Sequence, residues 1–148
     1  MMEAKEFLSV AQKLAQMRSE ASIRSAYSRA YYGIFNTGLK LLNELGFILP
    51  NDASSHELLY QRLNNCGIPD IENLASRLKT LRLKRNSADY DMKNRGFQSH
   101  AECEFAIASV KLMIAQLESC YHQPLRNQLK DGIQEYERKI NRGSIASA

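Results

Sequence analysis

Ser22-Ile23-Arg24-Ser25-Ala26-Tyr27-Ser28-Arg29-Ala30-Tyr31-Tyr32-Gly33-Ile34-Phe35-Asn36-Thr37 is the stretch that decides the fold. Ile23, Tyr27, Tyr31, Ile34 and, further on, Leu41 recur at helical spacing and form a large, partly aromatic face. Ser22, Ala26, Ala30, Gly33 and Thr37 recur beside it and are all small. Small residues at that spacing let a second helix come close. A helix covered along both stripes lies inside a bundle. Ser19 or Ser22 offers its N-cap, and Gly46 stops it after Leu45.

The same period continues outward in both directions, and no segment sustains a period of two. Phe7, Val10, Leu14 and Met17 predict one stripe of a first helix. Gly46 to Ala53, with Pro50 and Asn51-Asp52, reads as a loop. Ser54-Ser55-His56-Glu57 has capping-box spacing and opens a short helix through Leu63. Asn64 to Pro69 breaks it, and Asp70 is expected to cap a helix with core positions Ile71, Leu74, Leu78 and Leu81. That helix should end near Asp91, before the loop-like Lys93-Asn94-Arg95-Gly96. Ser99-His100-Ala101-Glu102 is a second capping box, starting a helix to about Cys120. It carries two apolar stripes, one of Phe105, Ala108, Leu112 and Ala115, the other of Ile107, Val110, Ile114 and Leu117. Two stripes call for cover on two sides, within the bundle or at a subunit contact. Pro124 begins a last helix along Leu125, Leu129, Ile133, Tyr136 and Ile140. The expected architecture is all-α, a bundle of five to six helices in one domain over residues 1–141, with 142–148 as a flexible C-terminal tail.

Bulk properties narrow the function classes. A chain of 148 residues, 44% apolar and 24% charged, fits one soluble globular domain. No apolar run approaches the roughly 20 residues of a membrane span, so no membrane partner is expected. Met1 to Glu6 is charged and lacks an apolar signal segment, pointing to a cytoplasmic protein. Cys66, Cys103 and Cys120 form neither a metal-ligand pair nor a disulfide framework and read as small buried apolar groups. With no Cys-x-x-Cys, no His pair four apart and no Gly-rich phosphate loop, neither a metal nor another cofactor is expected.

Charge is distributed unevenly. From Arg77 to Arg95 the chain carries seven Lys or Arg against two Asp, whereas its total is +4. Such a zone is the electrostatic footprint of a site for RNA or a nucleotide, or else a solvated helix face with internal ion pairs. Arg85 and Asp89, four apart, suit an intrahelical pair. Arg85 and Tyr90, five apart, diverge by about 140° on an ideal helix. Aiming both at one phosphate therefore calls for two copies of the chain or an unwound helix end.

Two stretches resemble the HEPN superfamily. Arg24 to Phe35 is similar to its central helix, with the Arg-Ala-Tyr-Tyr signature at Arg29-Ala30-Tyr31-Tyr32. Arg85-Asn86-Ser87-Ala88-Asp89-Tyr90 resembles its Arg-polar-four-His element, in the bacterial branch that reads Arg-x-x-Ala-Asp-Tyr. Ser55-His56 is also similar to that branch. The resemblance spans roughly residues 5 to 120. It implies a HEPN-like bundle, a homodimer whose protomers share a cleft, and a metal-independent endoribonuclease of toxin–antitoxin or antiviral-defence type. A nucleotidyltransferase-like protein is implied as a partner. Arg85 takes the place of the family Arg and Asn86 that of the polar residue, while Tyr90 stands where the family has His.

Metal-free RNA cleavage needs a base for the 2′-hydroxyl, an acid for the leaving oxygen and a cation against the developing charge. Arg85 supplies the cation. Histidine suits the proton work. A phenol, ordinarily titrating near 10, is a poor base at neutral pH unless cations stabilise the phenolate. The candidate catalytic set is thus Arg85, Tyr90, Asn86 and Asp89, the last two orienting the others. Arg82, Lys84, Lys93, Arg95, Arg29 and His56 are candidates for binding nucleic acid. Arg29 alternatively serves a structural role, tied to a carboxylate such as Asp89. A catalytically degenerate binding or interaction module, without cleavage activity, is the rival reading.

Overall fold

The computed structural model describes residues 2–147, with side chains described through Gly143. The fold is all-α. Six α-helices occupy the described residues: α1 (Ala4–Gln16), α2 (Glu20–Glu44), α3 (Ser54–Asn64), α4 (Pro69–Tyr90), α5 (His100–Glu118) and α6 (Leu125–Ser147). A single 3-10 turn, Ser119–Tyr121, links α5 to the segment before α6. No helix among the described residues is long and apolar enough to cross a membrane.

α2 is the axle of the bundle, packed by α1, α4 and α5. Both of its stripes are covered: Ile23, Ala26, Ala30, Tyr31, Ile34 and Leu41 are all fully buried or nearly so. The tightest approach on α2 is at Gly38, where a Cβ would stand 2.9 Å from Leu59 Cδ2 of α3, whereas at Gly33 it would make an ordinary 3.5 Å contact with the Ala4 carbonyl oxygen of α1. Ser19 is the N-cap, its Oγ accepting from the Ser22 N–H at 3.1 Å. Gly46, at φ 94°, closes the other end. Its N–H donates to Asn43 O and that of Phe47 to Leu42 O, the paired bonds of a left-handed helix stop.

Several local expectations are corrected. In α1 the buried face is Leu8, Ala11 and Ala15, while Val10 and Met17 are exposed. Leu8 and two alanines turn inward in place of Val10 and Met17, so α1 lies rotated from the phase its larger residues suggest. Ser54 does not cap α3. Asp52 does that work, its Oδ1 accepting from the Ser54 N–H at 2.8 Å and also from the Ser54 hydroxyl. Asp70 does not cap α4 either: Ile68 is the N-cap, and Pro69 occupies the first turn, where a missing N–H is harmless. Ser99 caps α5 as expected, accepting from the Glu102 N–H at 3.1 Å. On α5 only the stripe with Ile107, Val110, Ile114 and Leu117 is buried; that of Phe105, Ala108, Leu112 and Ala115 faces solvent. The backbone of 142–147 continues α6 across the stretch expected to be a tail, and Ala148 lies outside the described residues.

Candidate functional site

The site forms where the last two turns of α4 cross the N-terminal half of α2, and Arg24 fixes that crossing. Arg24 is buried, and its Nη1 donates to the carbonyl oxygens of Ser87, Ala88 and Asp91 at 3.2, 3.0 and 2.9 Å. Its Nη2 donates to Asn94 O at 2.8 Å, and Glu20 completes the set through Nε and Nη2. A helix C-terminus leaves carbonyls without intrahelical partners and carries a partial negative charge. One guanidinium answers both demands, and its face also lies 4.6 Å from the Phe97 ring centre.

With α4 so anchored, Arg85 is held by three partners. Nη2 donates to the Tyr32 hydroxyl at 2.7 Å and Nη1 to Asn86 Oδ1 at 3.0 Å. Nε stands 3.0 Å from Asp89 Oδ2, a charge contact poorly directed for a hydrogen bond. The Ser28 hydroxyl donates to the same Asp89 oxygen at 3.3 Å. The Arg85 side chain is only 15% exposed. α4 stays helical through Tyr90, yet the Arg85 guanidinium carbon lies 5.8 Å from the Tyr90 ring centre. The length of the arginine spans the angular gap that its position on the helix implied. Tyr90 itself is 76% exposed, so a rigid cation sits beside an accessible aromatic ring within one protomer.

The other candidates divide. Arg82 pairs loosely with Glu57, Nη1 to Oε2 at 3.6 Å, and stays partly exposed on the same flank of α4. His56 stacks on Phe35 with ring centres 4.0 Å apart, and its Nδ1 lies 2.5 Å from the Tyr31 hydroxyl. Burial first, then the positive charges of Arg82 and Arg85, hold His56 below its ordinary pKa. Burial also pushes the Tyr31 phenol well up. A neutral phenol can donate to Nδ1 of a neutral imidazole, which puts the ring proton on Nε2. Lys93 and Arg95 are exposed in the turn after α4. Lys84 turns the other way: its Nζ donates to Gly96 O at 2.9 Å and lies 4.4 Å from the Phe97 ring centre, bracing that turn. Arg29 is not tied to Asp89. Its guanidinium lies over the rings of Tyr32 and Phe7, at 4.8 and 5.4 Å.

Four residues of the site were not legible as such. Arg24 and Tyr32 lay inside the quoted central-helix stretch, but local spacing set neither against α4. Ser28 carried no signal of its own, and Glu57 read only as part of a capping box, not as a partner of Arg82. The one available cue was the adjacent Tyr31-Tyr32 pair, since neighbours on a helix point about 100° apart and cannot share one environment. Among the described residues no group of three or more His, Cys, Asp or Glu side chains gathers to hold a metal ion. All three cysteines are buried, and burial raises the thiols of Cys66 and Cys103 to about 11, far from a nucleophilic state. No family model, no curated protein and no solved structure matches this chain.

Proposed function

We propose that this protein binds RNA through the α4 surface around Arg82, Arg85 and Tyr90, with a phosphate against the guanidiniums and a base on the Tyr90 ring. The observation that carries the reading is Arg85 itself. Its guanidinium is oriented in advance by Tyr32, Asn86 and Asp89, and it lies 5.8 Å from an aromatic ring that is 76% exposed. Arginine matches phosphate oxygens with a rigid fork of donors. A base stacked on an aromatic ring adds about 1–3 kcal/mol. Preorganisation lowers the ordering cost that a surface arginine meets on binding. Arg82, Lys93 and Arg95 extend the positive field around this centre.

A second reading, a metal-independent endoribonuclease of the HEPN type, rests on one observation. Burial, then the positive charges of Arg82 and Arg85, hold the His56 pKa below its ordinary value, which favours an uncharged imidazole within reach of the fields of both arginines. A toxin or phage-defence setting and a nucleotidyltransferase-like partner belong to this reading through the family resemblance alone. Incubation with labelled RNA in EDTA separates the two. Binding without cleavage supports the first. Cleavage that Arg85→Ala abolishes and Tyr90→Phe or His56→Asn reduces supports the second.

A further inference from the structure

On α5 every buried side chain (Cys103, Ile107, Val110, Met113, Ile114, Leu117) lies on the side turned to the bundle. The opposite side carries Ala101, Phe105, Ala108, Leu112 and Ala115, all exposed, with Phe105 at 76% and Leu112 at 71%. These five fall within an arc of about 80° at helical spacing. Two large apolar side chains one heptad apart, with alanines at each step between and beyond them, make the seam of a helix pair rather than a solvated face. Among the described residues nothing covers it.

We infer that this seam is covered by α5 of a second copy, antiparallel and related by a two-fold axis. Size and charge both point to self-pairing. In one antiparallel register Phe105 opposes Ala108 of the second copy, and Leu112 opposes its Ala101. Each large side chain thereby meets a small one, over roughly 14 residues or about 21 Å of helix. The flank of the seam carries Glu104 and Lys111, and in this register each Glu104 faces the Lys111 of the other copy, twice by symmetry. The competing register, with Phe105 opposite Ala115, sets Lys111 against Lys111 and Glu104 against Glu118, so like charges exclude it. Glu104 is free enough to serve: Oε1 stands 3.1 Å from His100 Nε2 in its own chain, and the side chain is half exposed. Gln12 and Gln16 of α1 line the groove beside Glu104, Ala108 and Lys111, which gives the contact a polar rim.

The seam is built from α5, whereas the Arg85 face is built from α4 and α2. The interface stands or falls independently of RNA binding, which is read out separately.

Light scattering coupled to size exclusion, run at tens of micromolar, tests the pairing. Wild type is expected near twice the 16.9 kDa chain mass. Because these residues are exposed, Phe105→Glu with Leu112→Glu should leave the helical circular dichroism intact and give a protomer. Glu104→Lys and Lys111→Glu should each weaken the dimer about tenfold, since two pairs turn from attraction to repulsion. The double exchange should restore it to within about threefold, because both pairs are rebuilt with their signs reversed. That rescue distinguishes a second copy from any other apolar partner. A wild-type protomer at these concentrations overturns the inference, as does a dimer indifferent to Phe105 and Leu112, or an exchange that restores nothing.

Discussion

The Tyr32 hydroxyl and the Arg85 guanidinium, 53 residues apart in sequence, meet at 2.7 Å and tie the helix of the basic motif to the axle of the bundle. That bond decides which way Arg85 points. Without it, two of the three contacts on the guanidinium come from α4 itself and hold it less firmly against α2.

Tyr32→Phe is therefore expected to weaken RNA binding three- to tenfold while costing about 1 kcal/mol of stability, the ordinary worth of one hydrogen bond. Anisotropy with labelled RNA, beside a urea titration, reads both. A variant with unchanged affinity would show that the tyrosine merely packs.

Arg24→Met removes the donor set that satisfies the end of α4. It leaves several carbonyls and the Glu20 carboxylate without their partner, and a loss of about 3–5 kcal/mol is expected. The damage should be local as well: hydrogen exchange at Ser87 to Asn94 should rise more than in the α1–α2 core.

Gly132 is the tightest glycine in the chain. A Cβ there would stand 1.8 Å from the Cys66 carbonyl oxygen, a backbone atom with little room to move. Gly132→Ala is expected to destabilise by about 1–3 kcal/mol through overpacking. A Cβ on Gly143, in the same helix, meets no atom within 4 Å. Gly143→Ala should be neutral or stabilising by up to about 1 kcal/mol, from helix propensity alone. Thermal melts of the two variants together separate packing from propensity.

His56 has a depressed pKa in the fold, so the unfolded chain takes up its proton first as the solution is acidified. Stability is unaffected by this group well above its ordinary value of about 6.5 and falls as pH drops through that value, levelling off only below the folded one. His56→Asn should flatten the decline in melting temperature between pH 8 and pH 5. An unchanged pH slope would mean that His56 titrates alike in both states.

The bundle was legible in the sequence because α2 and α5 announce themselves by regular spacing, and because Gly46 and Ser99 punctuate in the ordinary way. The phase of α1 was not. Its buried contacts are made by Ala11 and Ala15, which a search for large apolar residues passes over. The cap of α3 went to Asp52 instead of Ser54, since either side chain can reach a helix N-terminus and only the loop path decides. At the site, the residues of one helix face (Arg82, Arg85, Asn86, Asp89) were visible as a motif. What orients them comes from α2, through Arg24, Ser28 and Tyr32, and pairings across some sixty residues leave no trace in local spacing. Lys84 shows the converse: a cation within a basic run, indistinguishable by sequence from its neighbours, spends its charge on a carbonyl and two rings.

The most direct measurement is the affinity of the wild-type protein for single-stranded RNA across 50 to 300 mM salt, beside Arg82→Ala/Arg85→Ala. Binding is expected to weaken steeply with salt, and the double variant should bind at least tenfold less tightly with a shallower salt slope. Equal affinity and equal slope for the two proteins, or no retention by the wild type at low salt, would contradict the assignment of this surface to RNA.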